Sequence, residues 1–467
     1  MKFYKIIILF LFILIFLPSG YGLTITHPQT DTLTTDESGI FFSGNIEKFE
    51  KIYINGTPII PQKKRAFSKS FPLQIGENIF AVQSHDLLGK TKTLKYHILR
   101  LNPTVQSNKF VPKEQQYYSI KNNIAVLRST PIDAGMNRLG YLPENTKVLS
   151  DGEQNNFSRI ILSEENYGWI KTKDLIQNDI KYAPTSENRV QSYTPKYISL
   201  LSENEIKTST ETTFTFNLSE NAPYSAIVDN NKLYITIYNL DTNDGYLIKE
   251  FPLNKFPRYT VCMQNGVLYS IIKNPPVNNS NYSNKLVKII IDPGHGGKEN
   301  GAIGCLGDKE KDINLEVALK LKKILENSHF KVYLTRENDI NVSLEDRINF
   351  AKNKDALIFL SIHLNAVPIS SNPNLNEGSV VFYFNPQSEE LAKCISKSLS
   401  QKLKTKNGGG VQASFAVIRP TEYIGVLAEL AYMINPQDIS IYKSKNFSQH
   451  AAIALYQGLV EYIFSEL

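Results

Sequence analysis

The chain has 467 residues, 42% of them hydrophobic and 21% charged, enough for three or four domains at ~150 residues each, and this composition excludes a long disordered protein. The formal net charge is +6, and no basic run with interleaved aromatics occurs, which argues against nucleic acid as a partner and leaves only a weak preference for anionic wall or membrane. The three cysteines, Cys262, Cys305 and Cys394, are odd in number and widely spaced, so no disulfide scaffold is expected.

The first element is a leader. Lys2 and Lys5 precede twelve apolar residues, 6–17, and Pro18, Ser19, Gly20 and Gly22 follow. As a helix that run would span ~18 Å, short of the ~30 Å hydrocarbon core. Residues 1–22 therefore read as a secretory signal peptide, with an uncleaved membrane anchor as the competing reading. No cysteine follows the small residues, so a lipoprotein anchor is not expected. The expected location is outside the cytoplasm, in a periplasm or a cell wall. Without the two leader lysines the formal charge is +4, two below the +6 of the whole chain.

Residues 24–102 alternate apolar and polar side chains over 39–46, 51–59, 67–73, 77–86 and 91–100, with Gly44-Asn45, Asn55-Gly56 and Gly76-Glu77 at turn spacing. A small β-sandwich is expected. The stretches Ile54-Asn55-Gly56 and Gly76-Glu77-Asn78-Ile79-Phe80-Ala81-Val82 resemble bacterial immunoglobulin-like modules. Residues 115–178 again read as short strands, over 124–127, 147–149 and 159–162. Their ending, Tyr167-Gly168-Trp169-Ile170 followed by Asp174-Leu175, resembles a bacterial SH3 domain. Trp169, the single tryptophan, is expected in a core, with ligand stacking as the second reading. Residues 190–275 form a third β region, with strict alternation over 214–218 and an apolar-rich run at 233–238; it is similar to AMIN-type wall-targeting domains. Residues 276–285, rich in Pro, Asn and Ser, read as a linker.

From 286 to 467 the pattern changes. A continuous apolar strand, 286–292, is followed by Val317, Ala318, Leu321, Ile324 and Leu325 at helical spacing. Further strands are expected at 331–336, 356–365, 378–384 and 425–431, and further helices at 388–403 and 446–464. Ser343 with Asp346 forms a capping box that opens another helix. The fold class is multidomain: three small all-β modules precede a C-terminal α/β domain whose mostly parallel central sheet is flanked by helices.

Functional residues in such sheets gather at the carboxyl ends of strands. One strand ends in Asp292-Pro293-Gly294-His295-Gly296-Gly297, another in Ser361-Ile362-His363-Leu364-Asn365, and the last in Val426-Leu427-Ala428-Glu429. Glu310 enters the helix after the first. Taken singly, His295 reads as a loop histidine, His363 as a satisfied core histidine, and Glu310 as part of a solvated helix start. Glu429 is different, because a carboxylate on a buried strand is rarely unpaired. Taken together, two imidazoles and one carboxylate make a three-ligand zinc site with an open fourth position, and a second carboxylate can move the proton of the attacking water. His295, Glu310 and His363 are the expected Zn2+ ligands, and Glu429 the expected general base and acid.

These stretches, with Lys309-Glu310-Lys311-Asp312-Ile313-Asn314-Leu315, Leu334-Thr335-Arg336 and Ser343-Leu344-Glu345-Asp346-Arg347, resemble the zinc-dependent N-acetylmuramoyl-L-alanine amidase family in order and spacing. The resemblance implies one catalytic zinc and hydrolysis of the amide between the lactyl group of N-acetylmuramic acid and L-alanine in peptidoglycan. It places the catalytic glutamate at Glu429. Ala431 and Ile434 depart from the glycine and serine usual in the family. Asn365 and Arg419 are candidate substrate contacts, since arginine matches the carboxylates of a peptide stem; Arg336 and Arg347 suit capping or ion-pair roles better. Cys305, five residues before Glu310, reads as a passive loop cysteine. Fourteen residues, 364–377, separate His363 from Gly378, and their prolines and serines argue for an open site without the long self-blocking helix of some family members. The expected enzyme is a monomer; a non-enzymatic wall-binding or activator protein that has lost activity, or a zinc peptidase cutting stem-peptide bonds, would share much of this pattern.

Overall fold

The computed structural model describes residues 22–103, 109–163, 165–178, 198–275 and 287–465. The expected leader, apart from Gly22, and the 276–285 linker lie outside the described residues. Among the described residues no helix is long and apolar enough to cross a membrane.

The first β region forms two sheets. Strands Thr24–His27, Gly39–Asn45 and Ala66–Pro72 make one; Thr32–Thr35, Thr91–Arg100, Gly76–His85, Lys51–Ile54 and Thr57–Ile59 make the other. Ile40, Phe42, Ile54, Phe67, Val82 and Ile98 fill the space between them. Within 51–59 the expected turn at Asn55-Gly56 closes a hairpin: both residues take positive φ, 46° and 75°, as a tight two-residue turn requires.

The second β region is a seven-stranded sheet that includes Val111–Ile120, Lys147–Gln154, Phe157–Ser163 and Asn166–Lys171. Trp169 is buried, edge-on to Phe110 with ring centroids 6.0 Å apart. The third region has a four-stranded sheet from Leu200–Lys207 to Val267–Lys273 and a three-stranded sheet around Lys232–Tyr238. These two regions are not separate in packing. Leu127, Leu142, Val148 and Ile170 of the second share one continuous buried cluster with Phe216, Leu233, Ile237 and Leu268 of the third.

The C-terminal region is built on a six-stranded sheet. Its strands are β1 (Lys288–Pro293), β2 (Lys331–Leu334), β3 (Ile358–Asn365), β4 (Ser379–Tyr383), β5 (Asn407–Gln412) and β6 (Ile424–Tyr432), in the order β2-β1-β3-β6-β4-β5. Ile289, Ile290 and Ile291 are all buried, as expected of a strand covered on both faces. Helices α1 (Glu310–Asn327), α3 (Glu389–Leu403) and α5 (Phe447–Ser465) cover one face through Val317, Leu321, Ile395, Leu399, Leu455 and Leu459. Helix α2 (Leu344–Asn353) lies on the other, over Ile290, Phe359 and Leu427. Its N-cap is the expected Ser343, whose hydroxyl accepts from the Asp346 amide at 3.1 Å. A four-residue helix, α4 (Ile439–Tyr442), follows β6.

The sheet is mixed, so the expectation of a mostly parallel one holds in part: four of its five strand pairings are parallel and one is antiparallel. β2, β1, β3 and β6 run parallel, but β4 is antiparallel to β6, and β5 follows β4. The cause is the short connection after β3. Residues 366–378 contain no crossover helix, only a single 3-10 turn at Pro373–Leu375, so β4 starts at the edge where β3 ends and must run back. Strand β5, Asn407-Gly408-Gly409-Gly410-Val411-Gln412, was not expected, because its glycines disfavour a strand.

Candidate metal centre

The loop after β1 turns sharply. His295, Gly296 and Gly297 have φ of 60°, 135° and 58°, three successive residues in the left-handed region. Histidine tolerates that region better than most side chains, and Gly296 and Gly297 enter it without a Cβ penalty. Gly294 is required for another reason: a Cβ there would lie 2.1 Å from His363 Cε1.

Two buried arginines hold this turn. Arg336 donates from Nε to the Pro293 carbonyl at 3.0 Å and from Nη2 to those of Gly294 and Lys311 at 2.9 and 2.8 Å. Arg347 donates to the carbonyls of Pro293 and His295 at 2.9 and 2.8 Å and pairs with Asp292 at 2.5 Å. Thr335 and Ser361 hydroxyls donate to the same Asp292 carboxylate at 2.6 and 2.7 Å. Lys311 adds a further clamp, from Nζ to the Gly297 carbonyl and to Asp339, both at 2.7 Å, while Asp339 accepts from the Gly297 amide at 2.7 Å. Arg347 is thus an ion-pair residue, whereas Arg336 has only backbone carbonyls as hydrogen-bond partners among the described residues; both shape the loop that carries His295.

Glu310 opens α1 and is buried. Its Oε1 accepts from His363 Nδ1 at 2.8 Å and from the Leu364 amide at 3.2 Å. Its Oε2 accepts from the Ala302 amide at 2.7 Å and lies 3.2 Å from His295 Nε2. The two imidazole centroids are 4.9 Å apart, and one ligand atom from each of the three residues lies within 4.8 Å of the others. Burial by itself would raise the Glu310 carboxyl; hydrogen bonds from His295 and His363, and their charge, outweigh it and hold the group well below the usual carboxylate range. Two imidazole nitrogens and a carboxylate fit a metal such as zinc, and the rings keep a solvent-facing side where a fourth ligand can enter.

Glu429 stands next to this cluster. In the parallel pairing of β3 with β6, His363 is directly opposite Glu429, so both side chains project from the same face of neighbouring strands. The carboxyl is buried and pushed well above its ordinary range, first by desolvation and then by the negative Glu310. Its Oε2 has no hydrogen-bond partner among the described residues. A buried carboxyl with an idle oxygen at the edge of a metal-type cluster is the arrangement a proton carrier needs.

The other candidates fall as follows. Asn365 ends β3, two residues beyond His363, half-buried at the same edge. Arg419 is not brought to the cluster. β5 ends at the opposite edge of the sheet, and Arg419 lies in the following loop, before β6 begins; its Nε donates to Ser414 Oγ at 2.8 Å. Cys305 is buried with Sγ 3.6 Å from the Ile434 carbonyl, and burial pushes its thiol up to about 12. It has no part in the cluster. Residues that sequence reasoning did not place at the site are Lys311, Asp339 and Asn314, whose side chain reaches both the Gly294 carbonyl and Glu310 at 3.3 Å. Their signal was present, since Lys311 and Asn314 follow Glu310 on one helix start, but only three-dimensional pairing reveals it.

Residues 289–461 match the family described as N-acetylmuramoyl-L-alanine amidase. N-acetylmuramoyl-L-alanine amidase LytC of Bacillus subtilis is 37% identical over 204 residues, 42% of this chain and 40% of that protein. The probable cell wall amidase LytH of Staphylococcus epidermidis is 37% identical over 196 residues, 41% of this chain and 64% of that protein. The chain thus spans 40% and 64% of the length of these two relatives. The solved catalytic domain of the amidase CwlV from Bacillus (Paenibacillus) polymyxa var. colistinus is 30% identical, with 38% of this chain and 98% of that one covered and a TM-score of 0.36. The C-terminal region of this chain belongs to the N-acetylmuramoyl-L-alanine amidase family.

Proposed function

We propose that the chain is an exported zinc amidase that hydrolyses the bond between the lactyl group of N-acetylmuramic acid and L-alanine in peptidoglycan. The observation that carries the reading is the convergence of His295, Glu310 and His363 beside the buried Glu429, within the segment that matches the family. His295, Glu310 and His363 would hold the ion. Zinc in that donor set supplies Lewis acidity toward a water and toward the scissile carbonyl. Glu429 takes the proton of the attacking water and delivers it to the leaving alanine nitrogen. Asn365, at the same edge, is positioned to meet the substrate. The short 366–378 connection, turn-like rather than helical, supports a mouth open to a large polymeric substrate.

The preceding regions are read as wall-positioning modules: immunoglobulin-like for 24–102, SH3-like for 115–178 and AMIN-like for 190–275. The two-layer packing of the first and the short antiparallel strands of the second support those readings. The leader pattern of residues 1–22 supports export, with one chain acting as a monomer.

Digestion of purified peptidoglycan, followed by mass spectrometry of the products, tests the reaction. Intact stem peptides with a free L-alanine amine, and glycan carrying a free lactyl carboxylate, are expected; a chelator should abolish them and zinc restore them. Cuts inside the stem peptide would instead identify a peptidase.

A further inference from the structure

Three loops frame the metal cluster at the carboxyl edge of the C-terminal sheet: 296–309 after β1, 366–378 after β3 and 433–438 after β6. The first β region touches all three. Asn45 Nδ2 donates to the Cys305 carbonyl at 2.8 Å, in the loop that leads to Glu310. Asn374 Nδ2 donates to the Ser68 carbonyl at 2.9 Å, and Gln62 Nε2 to Asn374 Oδ1 at 3.3 Å, in the loop that leaves His363. Gln437 Nε2 donates to Gln62 Oε1 at 2.8 Å, beyond the strand of Glu429. Apolar contacts accompany these bonds. Ile369 packs against the core of the first β region, and Ala66 of that region lies in the main core of the C-terminal domain. The loops are also tied to each other: Asn435 Nδ2 donates to the carbonyls of Pro373 and Asn376 at 3.2 and 2.8 Å.

We infer that residues 22–100 are a fixed wall of the catalytic cleft, and that Asn45 and Asn374 are positioning residues that hold the loops beside Glu310 and His363 in their substrate-ready arrangement. The inference rests on the proposed amidase reading and extends it. In an open α/β sheet the substrate crevice lies outside the carboxyl ends of the strands, which is where these loops stand. Residues 366–378 have little secondary structure of their own, so their shape depends on external partners. Asn374 is the joint that connects them to the β region, as it donates to Ser68 and accepts from Gln62. A substrate strand lying across the metal would therefore meet a surface composed by both regions. The first β region would act on the reaction by orientation rather than by wall affinity alone.

The test uses the full chain with Asn374→Ala, Asn45→Ala and the two combined. Each loses one or two hydrogen bonds that hold a loop, so the double variant should raise KM for a soluble muropeptide roughly tenfold while kcat changes less than about twofold. Bound zinc, counted by mass spectrometry of the intact protein, should remain at one per chain. Amide hydrogen exchange in 302–308 and 366–378 should speed up at the same time. Unchanged KM, or unchanged exchange in both loops, would overturn the inference. Absence of amidase products from the unsubstituted chain would instead count against the proposed function, and the exchange measurement would still decide whether the β region holds the loops.

Discussion

Replacing Arg347 with methionine should unfold the C-terminal domain at a markedly lower temperature without replacing His295, Glu310 or His363. Methionine keeps most of the aliphatic stem but removes the guanidinium that pairs with Asp292 at 2.5 Å. That pair is almost wholly withdrawn from solvent, with 4% and 1% of the two side chains exposed. Stripping one partner from a buried pair leaves an uncompensated charge and costs ~3–5 kcal/mol. Thr335 and Ser361 still donate to Asp292, which puts the cost toward the lower end of that range. The His295 carbonyl also loses the Arg347 donor, adding ~1 kcal/mol. At ~2–4 °C per kcal/mol for a domain of this size, the melting temperature should fall by roughly 8–16 °C. Calorimetry of the metal-free chain measures the shift, and a cycle with Asp292→Asn apportions it. The double variant should lose clearly less than the sum of the single ones, since the stranded charge is gone. A melting temperature within one or two degrees of the parent, or strictly additive losses, would refute the claim that this ion pair supports the His295 turn.

Two further outcomes follow from the geometry. Glu429→Gln should retain bound zinc and lose turnover by ~10²–10⁴-fold, because it removes proton transfer alone, whereas His363→Ala should lose metal and turnover together; metal analysis beside product release separates the two. His27 offers a pH dependence. It stacks on Phe41 with centroids 4.2 Å apart, its Nε2 has no hydrogen-bond partner among the described residues, and burial lowers its pKa to about 4. The folded value lies below the unfolded one of about 6.5, so the neutral ring is favoured in the folded state. Its contribution is complete above pH 6.5 and is lost as pH falls through 4, by up to about 3 kcal/mol. Unfolding free energies at pH 7 and pH 4 should differ less in His27→Gln than in the parent chain.

Much of the C-terminal region was legible because its signals are local. The run Ile289-Ile290-Ile291 reads as a strand buried on both faces, and Ser343 with Asp346 reads as a helix start, from a few neighbouring residues each. What escaped depends on partners far along the chain. Arg336 and Arg347 sit among charged neighbours, Glu337 and Asp346, that suggest a solvated surface; only the turn of 293–295 folding over them makes them buried donors. The direction of β4 was equally hidden, because it is set by the lack of a crossover helix rather than by the strand itself. Strand Leu200–Lys207 was missed for a different reason: it is almost wholly exposed and polar, paired on one side with Glu211–Leu218. His295, His363 and Glu429 are legible from their positions at strand ends, whereas Arg419, suggested only by the match of a guanidinium to carboxylates, lies away from the cluster because the strand before it runs the other way.

The joint core of the second and third β regions bears on how this chain can be taken apart. Leu127, Leu142 and Ile170 are sealed only with Leu233, Ile237 and Leu268 in place. A fragment ending between the two regions would bare a large apolar patch and tend to aggregate. Heat or denaturant should melt them in a single step, and grafts onto another protein should carry 109–275 as one cassette.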